Sequence, residues 1–155
     1  MSWYVTTTSL TGSDFSSTLL SSKLGSATQR TYLAMSYLIS HMMGITQMDP
    51  ASQNLKAEDQ FAVWSFTGWS GPYGTDSSIV AAALAAVQAG FSGEGFEILT
   101  LTGITGQEFI IKTSEPSILI LNPSARRVID CHFVEKNREC YRIVCEHELS
   151  KHTIN

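Results

Sequence analysis

The sequence predicts an α+β fold: an N-terminal helical part followed by a mostly antiparallel β-sheet half. Three observations predict it. Apolar positions between Thr28 and Met43 recur at helical spacing. The run "SSIVAAALAAVQAG" is alanine-rich, with an acid ahead of it and a glycine behind. From residue 96 onward the chain breaks into five short apolar runs parted by turn residues, the mark of consecutive strands.

Each element follows in chain order. "SWYVTTTSL" has the β-branched and aromatic content of a strand. It belongs to a segment, residues 1–28, with fourteen Ser or Thr and only two charged side chains, Asp14 and Lys23. The rest of that segment reads as loop or a short helix. "TQRTYLAMSYLISHMM" allows about four helical turns, stopped by Gly44. His41 and the methionines beside it read as core or flank. "TQMDPASQNLKAEDQ" reads as a polar connector with a turn at Asp49-Pro50. "FAVWSFTGW", 61–69, reads as a strand and "SGPYGT" as the loop after it. Asp76 or Ser77 then caps the alanine-rich helix, Gly90 closes it, and its small side chains predict close packing against a sheet. "FEILTLTG", "QEFIIKT" and "SILIL" are three strands with tight turns. "RRVIDCHF" and "ECYRIVCEHE" form a hairpin around Asn137, expected to continue one antiparallel arrangement over 96–148. Alternation there puts Val128, Asp130 and His132 on one face and Ile129, Cys131 and Phe133 on the other.

Composition narrows the function classes. The chain has 155 residues, the size of a single domain spanning 1–155. Charged residues are 15%, against an average near ~25%. A net charge of −4 argues against broad nucleic-acid binding, which needs a basic footprint, although Arg126–Arg127 could touch a phosphate. No apolar run approaches the roughly 20 residues that span a bilayer, and the N-terminus lacks the basic and apolar regions of a signal peptide. A soluble protein is expected. Cys131, Cys140 and Cys145 are odd in number and show no CxxC or zinc-ligand spacing, so reduced, buried cysteines, no metal and an intracellular site of action are expected.

There is no GxGxxG, P-loop, HExxH or GxSxG motif. The order of features in "FEILTLTGITGQEFIIKTSEPSILILNPSARRVID" nevertheless resembles the C-terminal part of the mono-ADP-ribosyltransferase fold. Gly106 and Gln107 take that family's turn, Glu115-Pro116-Ser117 its Glu-x-Glu turn, and "ILILNP" its aliphatic run. Upstream, "SFTGWS" resembles a degenerate Ser-Thr-Ser strand, and Arg30 is the only arginine before residue 126. The resemblance implies a split β-sandwich that takes NAD as substrate, in the manner of a toxin or effector delivered by a bacterial or phage system to a macromolecular target. By the same resemblance Arg30 anchors the NAD phosphates, Thr67 and Ser70 brace the nicotinamide pocket, and Trp69 stacks on the nicotinamide ring. The catalytic acid is either Glu115 in a shifted register or absent, because Ser117 occupies its place. The competing reading of the same residues is a non-enzymatic α+β interaction protein, of the immunity or inhibitor kind, that meets a protein partner.

Overall fold

The computed structural model describes residues 4–69, 75–102, 107–113, 115–120, 130–137 and 140–146, with side chains over 6–69, 75–101 and 107–113. The chain divides into two compact units, Met1–Pro123 and Ser124–Asn155. The first unit holds a four-stranded antiparallel sheet in the order β1-β2-β3-β4: β1 Tyr4–Ser9, β2 Phe96–Thr102, β3 Glu108–Lys112 and β4 Glu115–Ile120. β1 pairs with β2 from Tyr4↔Thr102 to Ser9↔Glu97. The helices therefore lie, in chain order, between two neighbouring strands. The fold is α+β, with the N-terminal strand joining the sheet built by the second half.

Those helices are a single turn α1 (Ser21–Leu24), a 3₁₀ turn at Gly25–Ala27, α2 (Thr28–Gly44), α3 (Pro50–Phe66) and α4 (Ser77–Gln88). α2 is a helix as the sequence predicts; it buries Thr28, Thr31, Tyr32, Met35, Leu38 and Ile39, a stripe at three- and four-residue spacing, and leaves Leu33, Tyr37 and Met42 half-buried. α4 begins at the Asp76 N-cap, whose side chain accepts from the Ser78 N–H. It packs against α2 and α3. The expectation that its alanines lie on a sheet is corrected: of its residues only Ala83 is fully buried.

α3 is the largest departure from the sequence reading. The polar connector and the strand at 61–69 are one helix of 17 residues. Asp49-Pro50 is its start and not a turn: the Asp49 carboxylate accepts from the Ser52 N–H and hydroxyl, and Pro50 fills a first-turn position where no N–H is needed. Ser52, Asp59, Ala62 and Val63 are buried at helical spacing. A run of aromatic and apolar residues had masked the period.

The core lies between α2 and one face of the sheet. Ile98 on β2 and Ile110 on β3 are register partners, both fully buried with Tyr32, Met35, Leu38, Val63 and Leu10. On the opposite face Leu99, Leu101, Phe109 and Ile111 are also buried, so β2 and β3 are central strands apolar on both sides. In the second unit β5 (Asp130–Asn137) and β6 (Cys140–Glu146) form the hairpin expected around Asn137, with Cys131 opposite Cys145. It is a sheet of its own and does not continue β1–β4, correcting the contiguous arrangement expected over 96–148. The faces of the hairpin side chains and the state of the cysteines lie outside the described residues.

Candidate functional site

An open cleft of about 520 Å³ lies where the start of α2 meets the end of α4, lined by Ser26, Gln29, Arg30, Leu33, Val87 and Gln88. Local folding fixes most of its wall. The Gln29 amide donates to the carbonyls of Leu10 and Gly12, both at 3.1 Å, tying the turn after β1 to the first turn of α2. That leaves the Gln29 side-chain oxygen as acceptor. Leu33 lies against Gly93, whose φ of +67° disfavours any side chain: a Cβ there would stand 2.6 Å from Leu33 Cδ2, which would have to move. Opposite, α4 ends in a Schellman turn: the N–H groups of Gly90 and Phe91 reach the carbonyls of Val87 and Ala86, so those acceptors are already satisfied. Arg30 is exposed on α2. Its guanidinium has no carboxylate partner among the described residues. Among the described residues no acid, imidazole, thiol or phenol lines the cleft.

The other residues singled out by sequence are placed as follows. Thr67 is the C-cap of α3, and its N–H and hydroxyl both donate to the Trp64 carbonyl. Gly68 follows at φ +87°, and the Gly68 and Trp69 N–H groups reach the carbonyls of Ser65 and Trp64. "SFTGW" is thus a helix terminus with a Schellman turn, correcting the strand assigned to it. The glycine that sat awkwardly inside a Ser-Thr-Ser strand is what this terminus requires. Trp69 closes the turn hydrophobically, edge-on to Trp64 at 5.0 Å and stacked on Phe61 at 5.8 Å. Ser70 lies outside the described residues. Glu115 and Ser117 are on β4, with Glu115 opposite Lys112 in the ladder, and their side chains lie outside the described residues.

Two polar clusters escaped the sequence reading. The first is centred on Glu108, 3% exposed on the helix-facing side of β3. Its carboxylate accepts from the Tyr32 hydroxyl, from Thr100 Oγ1 at 2.8 Å and from the Leu19 N–H at 2.6 Å, while the Leu20 N–H donates to the Tyr32 oxygen. Burial raises the Glu108 carboxyl above its ordinary value, and the three donors oppose that rise without cancelling it. Burial and the adjacent carboxylate push the Tyr32 phenol far up, so Tyr32 stays a donor. One acid thereby holds α2, β2, β3 and the segment before α1 together. The signal was an acid in "QEFIIK" at an inward position, two residues before Ile110. The second cluster is His41 Nδ1 with Asp59 Oδ2 at 2.5 Å; Asp59 is buried on α3 and His41 is exposed on α2. No sequence spacing announces this pair, because its members sit on different helices.

Neither cluster opens onto the cleft. Among the described residues no group of three His, Cys, Asp or Glu converges as a metal site, and no helix is long and apolar enough to cross a membrane. Compared with models of protein families, with curated proteins and with solved structures, the chain has no match.

Proposed function

We propose that the chain is a non-enzymatic α+β binding protein whose ligand sits in the cleft between α2 and α4. The observation that carries this reading is the chemistry of the cleft wall. A guanidinium, two amides, a hydroxyl and two aliphatic side chains hold and orient a ligand, but none of them supplies a proton-transfer or nucleophilic group at neutral pH. Four of the described acids are engaged elsewhere: Glu108 and Asp59 in buried contacts, Asp49 and Asp76 in helix caps. Binding should therefore occur without turnover. The test is to incubate the protein with NAD and with a small-molecule panel, reading nicotinamide release and melting temperature together. Stabilisation without chemistry supports the reading, and release of nicotinamide overturns it.

A second reading, the NAD-dependent mono-ADP-ribosyltransferase of toxin or effector type, is favoured by one observation: Arg30, the anchor it requires, lines the cleft. In that reading Glu115 or Ser117 on β4 stands at the ribose. Nicotinamide release by wild type, Ser117→Glu and Glu115→Gln, measured side by side, decides it. An increase in Ser117→Glu, or a loss confined to Glu115→Gln, favours the transferase; three inactive proteins that also fail to bind NAD remove it.

A further inference from the structure

Resting on the binding reading above, we infer that the cleft is a receptor for a short organic carboxylate with an apolar body, held by the Arg30 fork, which has no carboxylate partner among the described residues. Three features of the wall select that class. The unit before Ser124 has only four cations, Lys23, Arg30, Lys56 and Lys112, against nine acids, yet no described acid pairs with Arg30. A guanidinium without a carboxylate offers two parallel N–H donors, the geometry that a planar carboxylate fills. Gln88 and Ser26 sit on the same wall with no hydrogen bond among the described residues, so each can donate to a second lone pair of the bound group.

The rest of the wall settles what the anion is attached to. Leu33, which lies against Gly93, and Val87 give the cleft an aliphatic side that favours a hydrocarbon portion of a few carbons. The same side disfavours a phosphate, whose further charge would lie against apolar surface with only one cation to neutralise it. The Gln29 amide hydrogens are already spent on Leu10 and Gly12, which removes two donors that a phosphate would need. A carboxylate with a short aliphatic tail matches the Arg30 fork, the Ser26 and Gln88 donors and the aliphatic side.

The experiment titrates the isotope-labelled full chain with butyrate, with its neutral isostere butyramide and with inorganic phosphate, following backbone amide shifts by NMR. A parallel sample with NAD is assayed for nicotinamide. Saturable butyrate shifts centred on residues 26–33 and 87–88 are expected, absent with butyramide, about tenfold or more weaker in Arg30→Ala and intermediate in Arg30→Lys, which keeps the charge and loses the fork. Equal binding of butyramide, insensitivity to Arg30→Ala or no saturable shift overturns the carboxylate while leaving the binding reading to its own test. Arg30-dependent phosphate binding without butyrate binding overturns it in favour of a phosphorylated ligand. Nicotinamide release in the parallel sample removes the binding reading itself, whatever butyrate does.

Discussion

At the scale of single residues, Glu108 decides more than any other described side chain. Its three donors and one buried carboxyl form a closed set, so deleting one member strands the rest. Tyr32→Phe removes the phenol hydroxyl, leaving one oxygen of Glu108 and the Leu20 N–H without their partner. The expected cost is about 1–3 kcal/mol in urea unfolding. Glu108→Gln keeps the shape and removes the charge, and its comparison with wild type isolates the titration. Because burial raises the folded-state pKa above the ordinary 4.5, the native protein holds the proton after the unfolded chain has released it. The stability linked to this group is therefore complete below 4.5 and lost as pH rises through the raised folded value. Wild type should lose stability relative to Glu108→Gln as pH rises over that window; a gain of wild type relative to Glu108→Gln with rising pH would contradict the assignment. Gln60 shows the reverse case. Its Nε2 is buried with no hydrogen-bond partner among the described residues, so Gln60→Met should be neutral or stabilising by the same unfolding measurement.

Element by element, what could be read from the sequence follows from how local each signal is. α2, α4, β1 and the three strands β2 to β4 carry their own periodicity and their own stops, and the structure has them within a few residues of the reading. α3 failed because two of its signals were taken for something else: Asp49-Pro50 for a turn, and Gly68 for a flaw in a strand motif. Both are helix punctuation separated by seventeen helical residues, and the apolar "FAVWSF" between them is the half of the helix that faces the core and its aromatic neighbours. The cleft was legible only as Arg30, since its wall pairs the start of one helix with the end of another 57 residues later, a proximity that no local pattern encodes. Glu108 was visible as an inward acid, but its partners Tyr32 and Leu19 are 76 and 89 residues away. The cap assignment predicts specific losses. Gly68→Ala forces a side chain into the left-handed region and should cost about 1–2 kcal/mol. Asp49→Ala should cost about 1 kcal/mol. Either appears as a fall of roughly 4 °C per kcal/mol in the melting temperature. If "SFTGW" were a strand, Gly68→Ala would be tolerated or mildly stabilising.

Across the Met1–Pro123 unit, burial is distributed unevenly, and that predicts an order of opening. β2 and β3 are central strands with side chains buried on both faces: Ile98 and Ile110 toward the helices, Leu99 and Phe109 on the other side. α4 has one fully buried residue, Ala83, and holds α2 and α3 through half-buried Ile79, Val80, Leu84 and Val87. Less apolar area is removed from water per residue in α4, and at about 25 cal/mol per Å² that is a weaker hold. α4 therefore belongs to the low-stability end, and amide exchange should release it through a partial opening while β2 and β3 wait for global unfolding. Mutation separates the two regions in the same way. Phe109→Ala empties a fully buried site and should cost about 3–5 kcal/mol, a large share of a domain's usual 5–15. Leu84→Ala removes a half-buried side chain and should cost about 1–2 kcal/mol, falling mostly on the α4 amides. Native-state hydrogen exchange of both variants checks the order. Equal protection of α4 and β3 in wild type would mean that the helix is held by more than the described contacts. An α4 that opens early gives the cleft a wall, Val87 and Gln88, that can withdraw without unfolding the sheet.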